Sequence, residues 1–220
     1  MNKEWSELNK SIQKNIGKKE TFDCGIAELL SLRNRLFDAL TSLHAELNNE
    51  QFCACPFMNI NGYHNKTIAY SIWHIFRIED IVTHSVIRDD QQVFFAHDYR
   101  RRINSPITTT GNELIKQQIV DFSRELNIDE LYNYALQVKE RTDKFLKNLT
   151  LPDLRVKPTG NKEKIENTSV SSDENAKWLV DYWFNKDIKG LILMPFSRHW
   201  IMHVEAALRI KNKLNKVDTI

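Results

Sequence analysis

The chain has 220 residues, with 31 lysines and arginines against 29 aspartates and glutamates, a net charge of +2. That near balance builds no surface for a polyanion, so nucleic acid is not an expected partner. No apolar run approaches the roughly 18–20 residues that cross a membrane, so a membrane is not expected either.

Six glycines and five prolines are few for a loop-rich β protein and favour helices. The three cysteines, Cys24, Cys53 and Cys55, are an odd set without disulfide-framework spacing. The N-terminal residues hold no apolar signal core. These features predict an all-α, cytoplasmic protein with one domain over 1–220.

Trp5, Leu8, Ile12 and Ile16 recur at three, four and four residues, one apolar stripe on a short helix ending near Gly17. This extension, residues 1–20, can pack on the rest of the chain or on a second subunit, the latter implying a homodimer. From Cys24 to Leu47, leucines at helical spacing predict a long amphipathic helix, with His44 at its boundary. Pro56 and Gly62 then break the pattern. Cys53 and Cys55 form C-x-C rather than the C-x-x-C that lets two sulfurs face one point, so both are read as ordinary reduced thiols.

Thr67 to about Val86 is apolar nearly all round and predicts a buried helix capped by Thr67 or Asn65. Within it lies His74. Asp80 and His84, four apart, can pair with each other. Arg88 to Pro106 is a charged connection, and Tyr99-Arg100-Arg101-Arg102 reads as a solvated loop. Thr110-Gly111-Asn112-Glu113 has the form of a capping box that opens a helix to about Asn127. Asn127 can cap a further helix to Leu149, the two being one bent helix or a pair.

Residues 151–172, with Pro152, Pro158 and Gly160, predict a long loop. Ser171-x-x-Glu174 then caps a short helix carrying Trp178, Leu179, Tyr182 and Trp183. Pro195 either begins the final long helix at its first turn or kinks it.

His199 and His203 stand four apart on that final helix, stacked on one face with Cβ atoms about 5–6 Å apart. Such a pair is half a site for a divalent metal and needs a third ligand from a facing helix. His74, midway along the most buried helix, is the best candidate. His64 lies in a turn, and His84 is rotated about 80° from His74 at about 100° per residue. Tyr70, Ser71, Arg77 and Ile78 lie within about 60° of His74, whereas Glu79 and Asp80 do not. Tyr70 and Arg77 are therefore the expected catalytic contacts to a small-molecule substrate, with a plain salt bridge as the alternative role for Arg77. Glu205 points away from both histidines of its helix.

Trp73-His74-x-x-Arg77-x-Glu79-Asp80 on an early helix, with Arg198-His199-x-x-x-His203 on the last, resembles the DinB-like superfamily, which includes the YfiT-type proteins. The resemblance covers roughly residues 24–212. It implies a four-helix bundle, for which the apolar periodicity offers helices near 24–47, 67–87, 111–149 (whole or broken) and 190–213. The N-terminal helix and a short helix before the last long one are then additions. It also implies a three-histidine metal site, with His74, His199 and His203 in the three ligand positions. A common family form, H-E-A-H-H-R-G-Q, reads here His199-Trp200-Ile201-Met202-His203-Val204-Glu205-Ala206. The ligand spacing is kept and the flanking residues differ.

The function implied is that of a metal-dependent enzyme. Zinc is the first choice, and nickel, iron or manganese also suit imidazole. Three neutral ligands leave the ion its charge, which acidifies a bound water for hydrolysis or a low-molecular-weight thiol for S-transfer. Two other readings stand beside it: a non-catalytic bundle that binds a metal or small ligand, and a structural bundle whose histidines are core residues.

Overall fold

The computed structural model describes residues 2–62, 64–158 and 162–217. Among the described residues every regular element is helical and there is no strand. Helix α1 (Lys3–Asn15) begins where the Asn2 side chain accepts the Trp5 N–H. Its apolar stripe, Trp5 and Ile12 with Ile16 beyond, is buried against α2 (Phe22–Glu46). Gly25 permits this contact, because a Cβ there would lie 2.7 Å from the Ile16 backbone. The stripe that suggested a second subunit is thus covered by its own chain.

After the short α3 (Asn49–Cys53), α4 (Ile68–Asp80) starts at Thr67, whose hydroxyl accepts the Tyr70 N–H. Every residue of α4 is buried. The helix continues as a π-helical segment, Ile81–Arg88.

The connection that follows is not simply solvated. Arg100, Arg101 and Arg102 are exposed, but Gln92, Val93, Phe94, Tyr99 and Ile103 are buried. Two short helices form there, α5 (Val93–Ala96) and α6 (Tyr99–Arg102). The buried Asp80 carboxylate accepts the Val93 and Phe94 N–H groups at 2.8 and 2.9 Å, tying α5 to α4. His84 pairs closely with Asp90; its Nε2 stays 4.0 Å from Asp80.

The capping-box pattern at Thr110–Glu113 opens no helix. Gly111 takes φ +81°, a left-handed turn incompatible with a first helical turn. The Glu113 carboxylate accepts from the Thr109 hydroxyl instead. Helix α7 (Gln117–Glu125) starts later and is separate from α8 (Ile128–Lys147), because Leu126 is extended. Asn127 caps α8 by accepting the Glu130 N–H.

Residues 151–172, expected as loop, hold a 3-10 turn, Pro152–Arg155, and α9 (Lys162–Glu166), anchored by buried Ile165. Gly160 and Asn161 lie outside the described residues. Asp173, not Ser171, caps α10 (Glu174–Phe184) by accepting the Asn175 N–H.

Helix α11 (Ile188–Leu193) runs through a π-helical turn, Met194–Arg198, into α12 (His199–Val217). Pro195 sits in that turn, so of the two alternatives it interrupts a continuing helix. A proline removes one helical N–H and crowds the carbonyl four residues back, which the wider turn accommodates. Helix α4 packs on α8 and α12, and α2 packs on the same two. None of the helices is long and apolar enough to cross a membrane, among the described residues.

Candidate metal centre

Helices α4 and α12 bring His74, His199 and His203 together. Ring centroids lie 4.9 Å apart for His74–His199, 4.8 Å for His74–His203 and 4.6 Å for His199–His203. One ring nitrogen from each lies within 4.8 Å of the others. Nitrogens on one tetrahedral zinc, with bonds of about 2.0–2.1 Å, stand roughly 3.3 Å apart, so small ring rotations would close the set. All three residues are buried, His74 at 6 %, His199 at 7 % and His203 at 5 % exposure.

His74 is held by main-chain atoms. Its Nδ1–H donates to the Thr110 carbonyl at 2.8 Å, which fixes the tautomer and leaves Nε2 as the ligand atom. The same strap accepts from three more α4 side chains. Arg77 donates to the Thr108 carbonyl, Trp73 Nε1–H to Thr109 and the Tyr70 hydroxyl to Gly111. Four consecutive carbonyls are thus stitched to one helix face. The Tyr70 ring also stacks on His74, with centroids 5.5 Å apart and planes at 13°.

This placement gives the two expected catalytic residues protein partners. Arg77 is wholly buried and also donates to Asp80, Tyr134 and Gln92. Burial, with Glu113 nearby, raises the Tyr70 phenol above its ordinary pKa, so it stays protonated. Neither lines the cavity beside the histidines. The Tyr70 and Arg77 side chains tie the Gly111 and Thr108 carbonyls to α4.

His199 and His203 have no such partner. Among the described residues, the Nδ1 atom of each is buried without a hydrogen-bond partner. The expected partner on the second ring nitrogen is present only for His74. Leaving buried polar atoms unsatisfied costs about 1–3 kcal/mol each. The convergence of three buried imidazoles on one point is the donor set that a divalent cation takes.

The three rings are neutral at physiological pH. Burial lowers the His74 pKa to about 4, against the raising effect of the Thr110 carbonyl. Burial lowers His199 well below the ordinary value, with His74 adding to it. His203 falls well below it too, through burial first, then His199, His74, Lys66 and His64. Neutral imidazole is the form that binds a metal.

Behind α12 lies a buried ion cluster that the sequence did not expose. Arg33 of α2 makes a two-point pair with Glu79, at 2.7 and 2.9 Å, and donates to Asp143 of α8 at 2.6 Å. It also donates to the Phe196 carbonyl, and Trp200 Nε1–H donates to Glu79 at 2.8 Å. Trp200 follows His199, so the cluster sets the start of α12 against α2, α4 and α8. Glu79 was correctly placed off the His74 face, but its partner was hidden in a leucine-rich stretch.

A cavity of about 240 Å³ opens beside the three rings. Its outer wall is α10, through Trp178, Leu179, Tyr182 and Trp183, with Asn112 at one side. The signal that could have found these residues is the aromatic cluster ahead of Pro195. Cys53 and Cys55 line a different cleft, and burial raises both thiols above their ordinary pKa. No protein-family model and no curated protein matches the chain.

Proposed function

We propose that the chain is a metal-dependent enzyme of the DinB-like type, acting on a small molecule. In this reading α2, α4, α8 and α12 form the four-helix bundle; the pairing of α4 and α2 each with both α8 and α12 supports it. The observation that carries the proposal is the meeting of three buried, neutral imidazoles beside a cavity.

His74, His199 and His203 would hold a divalent ion, zinc first among those that suit imidazole. The ion supplies Lewis acidity, enough to acidify a water or a thiol near neutral pH. The protein's part is to keep the rings neutral, to orient His74 through Thr110, and to exclude water with α10. A core-only role for the histidines is disfavoured, because core histidines are normally hydrogen-bonded. A cavity against the rings favours turnover over mere storage.

The test is metal content. Purified protein exposed to zinc should carry one equivalent. His74→Ala, His199→Ala and His203→Ala should each lower affinity at least a hundredfold with unchanged helical circular dichroism. Full zinc retention in any one of them would remove that residue from the site.

A further inference from the structure

The lining of the cavity narrows the ligand. Its histidine wall is the only strongly polar one. Facing it are Trp178, Leu179, Tyr182 and Trp183, closed off by Met194 and Met202. No aspartate, glutamate, lysine or arginine lines it among the described residues. A carboxylate or phosphate held away from the centre would therefore be desolvated without a counter-charge, which is costly. An aromatic ring would exchange water for ring and thioether contacts. The cavity, at about 240 Å³, exceeds the roughly 150 Å³ apolar cavity that admits benzene. Beside the histidines and the two indoles, Asn112 and Tyr182 are the lining residues with polar side-chain atoms, and both are uncharged.

We infer that the site takes an uncharged aromatic substrate, of one to two rings, with its reacting polar group toward the three histidines and its ring against α10. This rests on the metal-site reading above. Trp178 and Tyr182 are the specificity determinants. Trp178 is 55 % exposed at the rim, and its Nε1–H is spent on the Asn175 carbonyl, so its ring is what it offers.

The experiment uses the full chain loaded with cobalt(II), whose visible spectrum reports ligand binding at the metal. Imidazole, 4-phenylimidazole and 4-(imidazol-4-yl)benzoate are titrated. The phenyl compound should bind at least tenfold tighter than imidazole and at least fivefold tighter than the benzoate. Trp178→Ala and Tyr182→Ala should each cut the phenyl-to-imidazole ratio at least threefold. A wild-type ratio near one, or a benzoate that binds as well as the phenyl compound, would overturn the inference while leaving the metal centre standing. Failure to take up cobalt would instead sink the metal reading. The pocket is then judged by naphthalene titration of metal-free protein, followed by tryptophan fluorescence. Saturable binding weakened by Trp178→Ala supports the aromatic pocket, and no binding overturns it.

Discussion

At the scale of single residues, two of the three histidines are held at a cost in stability. His199 and His203 each bury a ring nitrogen with no partner, a cost of about 1–3 kcal/mol in the metal-free chain. Leucine has similar volume and no polar atom. His203→Leu should therefore hold or raise the stability of metal-free protein, by about 1 kcal/mol, while abolishing zinc uptake. Urea unfolding of both proteins in chelator measures this; a loss of 2 kcal/mol or more would mean the ring is well satisfied. His74 should not behave this way, because its Nδ1–H is bonded to Thr110. The meeting of the three histidines was legible in the sequence, since two of them follow helical spacing and the third lies on the most buried helix. The Thr110 carbonyl was not, because a main-chain acceptor leaves no mark on residue identity.

At the scale of elements, helix spans followed apolar periodicity and caps followed Thr67 and Asn127. Failures came where backbone torsion or a buried partner overrode local pattern. Gly111 turned a capping-box pattern into a strap, and Asp80 drew α5 inward from a stretch that looked solvated. Arg33 and Glu79 belong with these: each is charged, and each is fully buried because of the other. Glu79→Gln would leave Arg33 with one carboxylate partner, Asp143, in place of two. Breaking a buried pair by altering one partner costs about 3–5 kcal/mol. A retained amide acceptor for Trp200 places the expected loss near 3 kcal/mol. Chemical denaturation is the check, and a change below 1 kcal/mol would show that Asp143 alone compensates Arg33.

At the scale of the whole molecule, acid should loosen the metal-free fold in a defined window. His74 titrates near 4 when folded, against about 6.5 when unfolded. Between those values the unfolded chain binds protons that the folded chain refuses, so stability falls as pH drops from about 6.5 toward 4. Above 6.5 both states are neutral and this contribution is flat. The shift in His74 alone corresponds to about 3 kcal/mol across the window, and His199 and His203 act in the same direction. Bound zinc should oppose the loss until protons compete for the ligands. Denaturation midpoints at pH 7.5, 6 and 5, with and without zinc, decide it; a pH-independent midpoint for the metal-free protein would contradict it.

The ligands also stand far apart along the chain, His74 on an early helix and His199 and His203 on the last. On the ribosome, α4 emerges long before α12 has been made. No partial product can offer the complete donor set, so an ion held by these three rings would be captured only after the final helix has docked. Once captured, it ties the chain into a loop of roughly 125 residues, and closing so long a loop removes much of the freedom of the unfolded state. Metal loading would then act as a receipt for finished synthesis.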